Sequence, residues 1–490
     1  MSSEAAILKG SPSAFWPMIT IIFMGSFVGM YHVVSLNVSL PGFMDIFHTN
    51  LQGVQWITTG FMLTCGITAP LAGYLMQRFG VKSTFIVTLV GITMTSLLCS
   101  IAWNIGSLIA FRALQGLFCG LIAPITLAMV YQFIPEEKQV LALSIWSFST
   151  IFSTSIGPTL SGWLQSYNWH LIFLTTLPIG VIVIIIAGIV LSEDRGDVSI
   201  SFDWIGLLLA SIASLSLLLL FGNMSEWGWS NLWSWLLLIL GVCSSILFVV
   251  HELRDRQPLL HIRLLTKGLF VQSLLASLLL SFALYSGIYF VPLFLEQLRD
   301  MSSFEIGLVF LPASICLTFA TFLSGKLYAT LGAVKLLLIG TSILTISTFS
   351  LGYLTSTTSL LTVILILAFR NIGTGLSMTP ITNVSMSSVS QELRGHASAL
   401  VNWLRQLFSA IIIGVFTSFF SVRRSYYEAQ LGQTLDAVEA SWSTIYTLSH
   451  RDAFLLAGAC LLLVFPLAFL LRRSMQNNQR INQPVNVKSS

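Results

Sequence analysis

The chain of 490 residues is 55% hydrophobic and only 9% charged, with a formal net charge of +4 and a mean hydropathy of +0.86. A soluble domain carries about 25% charged residues, so this composition excludes most soluble enzymes. The small net charge gives no indication of nucleic-acid binding. The six cysteines fall in apolar segments without C-x-x-C spacing, which predicts buried thiols and neither disulfides nor a metal site.

Fourteen apolar stretches follow one another, each close to the length of about 20 residues that a helix needs to cross a bilayer. The first begins at Phe15. It is too long for the apolar region of a signal peptide and has no small-residue cleavage site, so we predict a retained span. An all-α membrane protein is therefore expected. The predicted spans are 15–36, 54–76, 83–103, 105–131, 140–164, 170–192, 204–222, 231–250, 269–294, 304–328, 331–353, 358–380, 397–420 and 453–471.

Lysine and arginine indicate the orientation, because cytoplasmic loops carry an excess of them. With the N-terminus inside, sixteen of the 23 lie on the cytoplasmic side and four on the other side. This bias predicts that both termini are cytoplasmic, which requires an even number of spans. The remaining three lie within spans, at Arg112, Arg370 and Arg405.

Polar segments before span seven and after span eight divide the chain into a two-helix unit between two six-helix blocks. The longest predicted outward loop, 421–452, is polar and fits either a short amphipathic hairpin or a flexible loop. The predicted domains are an N-terminal six-helix bundle (1–192), a two-helix insert with flanking cytoplasmic loops (193–268), a C-terminal six-helix bundle (269–471) and a cytoplasmic tail (472–490).

A weak internal repeat relates the two blocks. The pattern G-x-L-x-x-x-x-G with a nearby lysine follows span two, from Gly73 through Gly80 to Lys82. It recurs after span ten, starting at Gly325. Glycines let the backbone reverse direction, and Arg78 is placed to cap a helix C-terminus. The alternative is that this segment only signals topology.

A second pair of matching positions occurs in span four and span twelve, where a phenylalanine precedes Arg112 and Arg370. Transporters are often built from repeated halves, with the substrate site at their interface. The paired motifs therefore favour transport over a sensor or a channel. A membrane-embedded enzyme would need a buried nucleophile or a metal-ligand set, and the spans offer neither.

These residues resemble the major facilitator superfamily, and more narrowly the fourteen-helix drug:proton antiporters of the EmrB/QacA type. The segment from Gly73 to Lys82 is similar to the family motif G-x-L-A-D-R-x-G-R-K, with Gln77 in place of the acidic residue. The positions that match further family motifs are Arg112, Gln115 and Gly116 in span four, Gly157, Pro158 and Gly162 in span five, and Asn402 and Arg405 in span thirteen.

The resemblance implies a major facilitator fold of two six-helix bundles with two extra helices between them, in a bacterial plasma (inner) membrane. It implies proton-coupled export by alternating access, with the proton gradient as the energy source and no bound cofactor. It also implies gating and helix-packing roles for the Gly73–Lys82 and Gly157–Gly162 motifs. The loop 421–452 resembles those of family members that work with a periplasmic adaptor protein, so a partner of that kind is an expectation here.

One departure concerns the proton carrier. The first span of this family usually reads D-x-T-I-V-N-V-A-L-P. In this chain Asn37 is kept, but His32 stands where the aspartate is expected. A histidine has an unperturbed pKa of about 6.5 and exchanges protons in the physiological range. Two readings stay open: His32 carries the coupling proton, or it is a neutral histidine hydrogen-bonded within span one.

Ionisable side chains inside a membrane are costly and mark functional candidates. For Arg112 a role in coupling or substrate contact competes with a structural tie to backbone carbonyls; Arg370 and Arg405 favour a structural role. No Asp or Glu lies mid-span, so the cavity is expected to favour neutral or anionic amphiphiles over organic cations. Gln55 and Trp56 are further cavity-lining candidates. The predicted function is export of small amphiphiles, with a dedicated metabolite or siderophore exporter or importer as the alternative.

Overall fold

The computed structural model describes residues 15–36, 39–49, 51–192, 196–197, 202–255, 258–301, 303–431 and 438–482, and every regular element in these ranges is a helix. We call α1–α9 the N-half. Its helices are α1 (Phe15–Val34), α2 (Leu40–Phe47), α3 (Leu51–Thr68), α4 (Leu71–Phe79), α5 (Val81–Ser100), α6 (Ile105–Phe133), α7 (Glu136–Tyr167), α8 (His170–Leu174) and α9 (Thr176–Val190).

We call α10–α12 the insert and α13–α18 the C-half. The insert consists of α10 (Trp204–Gly222), α11 (Met224–Trp227) and α12 (Leu232–Arg254). The C-half consists of α13 (Gly268–Arg299), α14 (Ser303–Leu351), α15 (Leu360–Ser387), α16 (Arg394–Leu431), α17 (Val438–Leu462) and α18 (Val464–Asn482), with short 3-10 helices at Ile262–Thr266 and Gln391–Leu393.

The chain is a multi-pass membrane protein, but the count of fourteen spans is not confirmed. By length and composition, eleven helices in the described ranges are able to cross a membrane, or up to twelve if α3 and α4, bent by 54° at their break, form one span. The predicted spans 304–328 and 331–353 fall almost entirely within the single helix α14, α3 and α4 are counted together only as a bent pair, and α7 is not among the eleven helices found in the described residues.

The repeated glycine pattern produces the same backbone turn in both halves. Gly80 ends α4 with φ 82° and ψ 157°, and α5 begins at the next residue. Gly332 interrupts α14 with φ 74° and ψ 166°. These angles lie in a region that is essentially restricted to glycine. The weak sequence repeat therefore marks a shared turn between consecutive helices.

A face of small residues on α7 lets α1 approach closely. Ser149 Oγ and Ser153 Oγ donate to main-chain carbonyls of α1 at 2.5 and 3.3 Å. One turn further along, Gly157 lies against Val34, and an added Cβ would come within 2.8 Å of the valine side chain. Small residues at this spacing are a common means of close helix packing in membranes. The side chain of Pro158 is not among those described.

The predicted outward loop 421–452 is mostly helical, which favours the hairpin over the flexible loop. The end of α16 and the start of α17 occupy it, and residues 432–437 lie outside the described ranges. Arg423 Nε donates to Asp452 Oδ2 at 2.6 Å, and Tyr427 OH donates to the same oxygen at 2.8 Å. At the C-terminus, α18 runs to Asn482, so the predicted tail begins as a helix.

The insert packs on both halves. Helix α10 contacts α12, α3 and α16. Trp403 Nε1 of α16 donates to Ser214 Oγ of α10 at 2.8 Å, and the Trp403 ring meets Phe248 of α12 edge to face at 5.2 Å. On the other side Leu218 of α10 lies against Gly66 of α3. The insert therefore covers the boundary between α3 and α16.

The two glycines Gly332 and Gly222 allow the turn to be tested. Neither has an atom within 4 Å of an added Cβ, but only Gly332 has a positive φ. We expect Gly332→Ala to cost about 1–3 kcal/mol of stability through backbone strain alone. Gly222→Ala should be neutral or slightly stabilising, because alanine is the better helix former. Thermal unfolding in detergent, followed by tryptophan fluorescence, measures both; equal unfolding temperatures for the two variants would contradict the strained turn.

Candidate functional site

The Arg112 side chain is the centre of a polar network buried in the N-half. It is 1% exposed and lies on α6. Its Nη2 donates to the main-chain carbonyl of His32 at 3.0 Å, and its Nη1 donates to Gln115 Oε1 at 2.7 Å. The guanidinium carbon stands 4.0 Å from the centre of the Phe61 ring. The charge is thus held by a carbonyl, an amide and an aromatic face, and it joins α6 to α1 and α3.

The end of α1 explains why a carbonyl is available to Arg112. The last carbonyls of a helix have no partner within the helix. Helix α1 ends at Val34, so the His32 carbonyl belongs to its last turn, where the helix dipole is negative. A fixed guanidinium fork satisfies that carbonyl and Gln115 together, which a lysine ammonium is poorly shaped to do.

His32 is fully buried beside this network. Its Nε2 lies 2.9 Å from Thr176 Oγ1 of α9, and its ring meets that of Tyr31 edge to face. Among the described residues its Nδ1 has no hydrogen-bond partner. Thr176 also donates to the Phe173 carbonyl at 3.2 Å. His32 and Arg112 therefore lie together, but their link runs through the His32 main chain and not through its ring.

Arg370 occupies the corresponding place in the C-half. It lies on α15, is 2% exposed, and its Nη2 donates to the main-chain carbonyl of Ala283 on α13, with a longer contact of 3.3 Å to the Leu284 carbonyl. The guanidinium fills the space left by Gly287, where an added Cβ would collide with it. In each half, then, an arginine of a long central helix binds a carbonyl of the half's first long helix.

Arg405 lies nearer the boundary between the halves. Its Nη2 donates to Thr382 Oγ1 at 3.1 Å and its Nε to Ser277 Oγ at 3.4 Å, so it joins α16 to α15 and α13. Next to Thr382, Asn383 Oδ1 accepts from the hydroxyl of Tyr131, on α6, at 3.4 Å. Polar groups of both halves therefore meet beside this arginine.

Hydrogen bonds between the halves cluster at the ends that we predict to be cytoplasmic. Arg394 Nη1 donates to the Tyr131 carbonyl at 3.1 Å, and Ser398 Oγ donates to the Pro124 carbonyl at 2.7 Å. On the neighbouring face, Gly325 of α14 lies against Ser144 of α7. These contacts hold the two halves together at one end of the molecule.

The turn between α4 and α5 belongs to the same contact. Gln77 Oε1 lies 2.8 Å from Nε2 of His396, the third residue of α16, whose Nδ1 lies 3.2 Å from the Leu259 carbonyl. Gly73 faces the same ring, and an added Cβ would come within 2.8 Å of it. We call Gln77, His396 and Leu259 the gate contact. It joins the N-half, the C-half and the segment that follows the insert.

The remaining residues of the Gly73–Lys82 motif make contacts of their own. Lys82 Nζ donates to the Gly188 carbonyl of α9 at 2.9 Å. The guanidinium of Arg78 lies 6.0 Å from the Tyr74 ring, and Gly80 forms the turn itself.

Among the other candidates, Asn402 donates to the Ser398 carbonyl of its own helix at 2.9 Å, and Trp56 is 47% exposed. Gly162 is partly buried on α7. Asn37 lies outside the described residues, and the side chain of Gln55 is not among those described.

Sequence reasoning did not single out His396. The available signal was the departure at Gln77, where the family motif has an acidic residue; the sequence does not pair that position with His396. Only the fold brings the two positions, more than 300 residues apart in the chain, into contact.

Comparison with known proteins agrees with this architecture. The family model described as Major Facilitator Superfamily matches residues 18–414. The chain is 27% identical over 400 residues to the tetracenomycin C resistance and export protein of Streptomyces glaucescens, which covers 81% of this chain and 74% of that protein. It is 25% identical over 460 residues to the lincomycin resistance protein LmrB of Bacillus subtilis (93% and 96%). The crystal structure of the human organic anion transporter MFSD10 superposes with a TM-score of 0.61 at 15% identity, covering 92% of this chain and 100% of that one.

The family match spans well over half of the chain, so the chain belongs to the Major Facilitator Superfamily and is a transporter and not an enzyme. The likeness to MFSD10 shows the fold alone.

The role of Arg112 as a tie between helices is open to a direct test. Arg112→Lys keeps the charge but removes the fork that reaches the His32 carbonyl and Gln115 together. We expect a loss of about 1–3 kcal/mol of stability, because buried polar groups then lack a partner. Thermal unfolding in detergent measures it, with Arg254→Lys at the exposed end of α12 as the control. A Tm equal to that of the control would contradict the structural role of Arg112.

Proposed function

We propose that this transporter exports small amphiphilic compounds by proton-coupled alternating access. The observation that supports it most strongly is the pairing of the halves: each has a buried arginine bound to a carbonyl of its first long helix, and each has the same glycine turn. Two halves that are each braced internally, and joined at one end by hydrogen bonds, are suited to rocking about a central site.

The direction of transport is proposed from the relatives. Two proteins that align with most of this chain are named for antibiotic resistance, and one of them for export. The small-residue face of α7, which packs on α1, is the segment that resembles the antiporter motif of exporters. A dedicated metabolite or siderophore transporter, exporting or importing, remains the second candidate.

His32 is the proposed proton carrier. It stands at the position of the family's usual aspartate, and its Nδ1 has no hydrogen-bond partner among the described residues. In the present conformation the ring is sealed from solvent. Proton exchange therefore requires a conformation in which the helices around Thr176 separate. The energy source is the proton gradient, without a bound cofactor.

We infer the charge class of the substrate from the polar groups at the boundary of the halves. Arg405 lies there beside Thr382, Asn383 and Tyr131. A cationic site disfavours a cationic substrate in a low-dielectric cavity unless a carboxylate offsets its charge. We therefore propose neutral or anionic amphiphiles as the substrate class, and no nucleic-acid partner.

The membrane arrangement is part of the same proposal. The chain crosses a bacterial plasma membrane fourteen times, with α14 counted as two spans on either side of Gly332, α7 as one span and both termini in the cytoplasm. The helical hairpin formed by 421–431 and 438–452 then points outward. This hairpin is the proposed contact for a periplasmic adaptor protein.

Proton coupling is tested in inside-out vesicles with an acidic lumen, using a panel of neutral and anionic amphiphiles. Wild type should accumulate substrates from the panel only while the pH gradient is present. His32→Gln keeps a hydrogen-bonding group for Thr176 but cannot take up a proton, so gradient-driven uptake should fall at least tenfold; His32→Ala and Arg112→Ala should fall as well. His48→Gln, at an exposed histidine, serves as the matched control.

Full gradient-driven uptake by both His32 variants would contradict the coupling role of His32. Failure of wild type to respond to the gradient, with any member of the panel, would contradict proton coupling itself. Size-exclusion profiles identical to wild type establish that a variant is folded.

The charge preference is tested with ethidium in the same vesicles. We expect ethidium uptake at the level of protein-free vesicles, because the polar cluster of Arg405, Thr382, Asn383 and Tyr131 includes a cation and no carboxylate. Gradient-driven ethidium uptake comparable to that of the best neutral substrate would contradict the proposed substrate class.

A further inference from the structure

A second polar cluster lies at the root of the insert, where α10 begins and α12 ends. We call Asp203, His251, Glu252 and Asp255 the root cluster. His251 Nε2 lies 2.8 Å from Asp203 Oδ1 and 3.7 Å from Asp255 Oδ2. Ligand atoms of Asp203, His251 and Asp255 all lie within 4.8 Å of one another. These two carboxylates and one imidazole converge where α10 begins and α12 ends, and the Glu252 carboxylate lies nearby, since it and Asp203 both border Gly206.

Two carboxylate oxygens of the root cluster are buried without a partner among the described residues. They are Asp203 Oδ2 and Glu252 Oε1, on residues that are 8% and 1% exposed. Both oxygens border the same small space: a Cβ added to Gly206 would collide with each of them. An uncompensated buried carboxylate costs far more than a hydrogen-bonded one, and a cation bound between these two oxygens removes that cost.

One oxygen of each of these two carboxylates accepts from a main-chain amide, and Asp203 Oδ1 is also the oxygen that lies beside His251. Asp203 Oδ1 accepts from the Gly206 amide at 2.7 Å and caps α10. Glu252 Oε2 accepts from the Leu260 amide at 3.1 Å. Each carboxylate is therefore anchored by one oxygen and presents the other to the shared space.

The donor set identifies the class of cation. Imidazole nitrogen combined with carboxylate oxygens suits zinc and related divalent transition metals, whereas magnesium and calcium prefer oxygen ligands alone. Zinc binds N and O donors at about 2.0–2.2 Å in a tetrahedron, so neighbouring donors stand about 3.4 Å apart. The distances from His251 Nε2 to Asp203 Oδ1 (2.8 Å) and to Asp255 Oδ2 (3.7 Å) bracket that spacing, and the unpartnered Asp203 Oδ2 belongs to the same carboxylate.

We propose that the root cluster binds a divalent transition-metal ion of the zinc type, with His251, Asp203 and Asp255 as its ligands and the buried carboxylate of Glu252 beside the ion. Metal binding replaces the close contact between His251 Nε2 and Asp203 Oδ1. The site adjoins the gate contact, since Glu252 binds the Leu260 amide and the preceding Leu259 carbonyl meets His396. A bound ion fixes this segment and so stabilises the closed arrangement of the predicted cytoplasmic ends.

Cobalt(II) is the probe, because it occupies zinc sites and gives visible absorption that reports its ligands. The full-length protein in detergent, with its affinity tag removed, is titrated with Co²⁺ and then with Zn²⁺ or Mg²⁺. We expect one equivalent of Co²⁺ with tetrahedral-type absorption, displaced by Zn²⁺ and not by Mg²⁺. His251→Gln and Asp203→Asn should weaken binding at least tenfold. An asparagine is as good an N-cap as an aspartate, so Asp203→Asn keeps the cap of α10 and tests the ligand and not the fold.

His48→Gln is the matched control, at an exposed histidine outside the cluster. A Zn²⁺-dependent rise in Tm, present in wild type and His48→Gln and absent in His251→Gln, is the second expected result. Lack of Co²⁺ absorption in wild type would overturn the proposal, as would equal Co²⁺ affinity in wild type and His251→Gln. Displacement by Mg²⁺ as readily as by Zn²⁺ would overturn the assignment to the zinc class.

Discussion

The structure depends on one constraint. Inside the hydrocarbon region of a bilayer there is no water to hydrogen-bond a polar group, so its hydrogen-bond partner must come from the protein. Arg112 meets this constraint by binding the unused carbonyl of the last turn of α1, together with Gln115. Arg370 meets it by binding a main-chain carbonyl in the middle of α13. These two buried arginines thereby become braces that hold each half together as a unit.

Because a buried arginine holds the helices of each half together, the contacts that can change most easily are those between the two halves. They are hydrogen bonds to main-chain carbonyls, such as Arg394 to Tyr131 and Ser398 to Pro124, and the gate contact at Gln77. Among the described residues, few of the contacts between the halves are ion pairs. The ion pair between Arg394 and Glu136 is long, at 3.9 Å, and its carboxylate is exposed. Modest bonds of this kind are suited to an interface that opens and closes.

Much of this was predictable from the sequence, because hydropathy and glycine spacing report local requirements. Each predicted span contains a helix, and the pattern around Gly80 and Gly332 predicted two related turns. The sequence did not predict which residues of different helices contact one another. The choice of the His32 carbonyl depends on where α1 ends, and the approach of Asp203 to His251 depends on how α10 and α12 pack. Hydropathy also did not fix the number of spans, because one apolar run can bend or fuse with the next, as in α14.

The position of the insert has a mechanical consequence. Toward the C-half, α10 is held by a directional bond from the Trp403 indole to Ser214. Toward the N-half, Leu218 rests on the flat surface that Gly66 leaves on α3. A hydrogen bond is directional, whereas an apolar contact is not. The insert is therefore anchored in orientation to the C-half, while its contact with the N-half is apolar packing that covers the seam between α3 and α16.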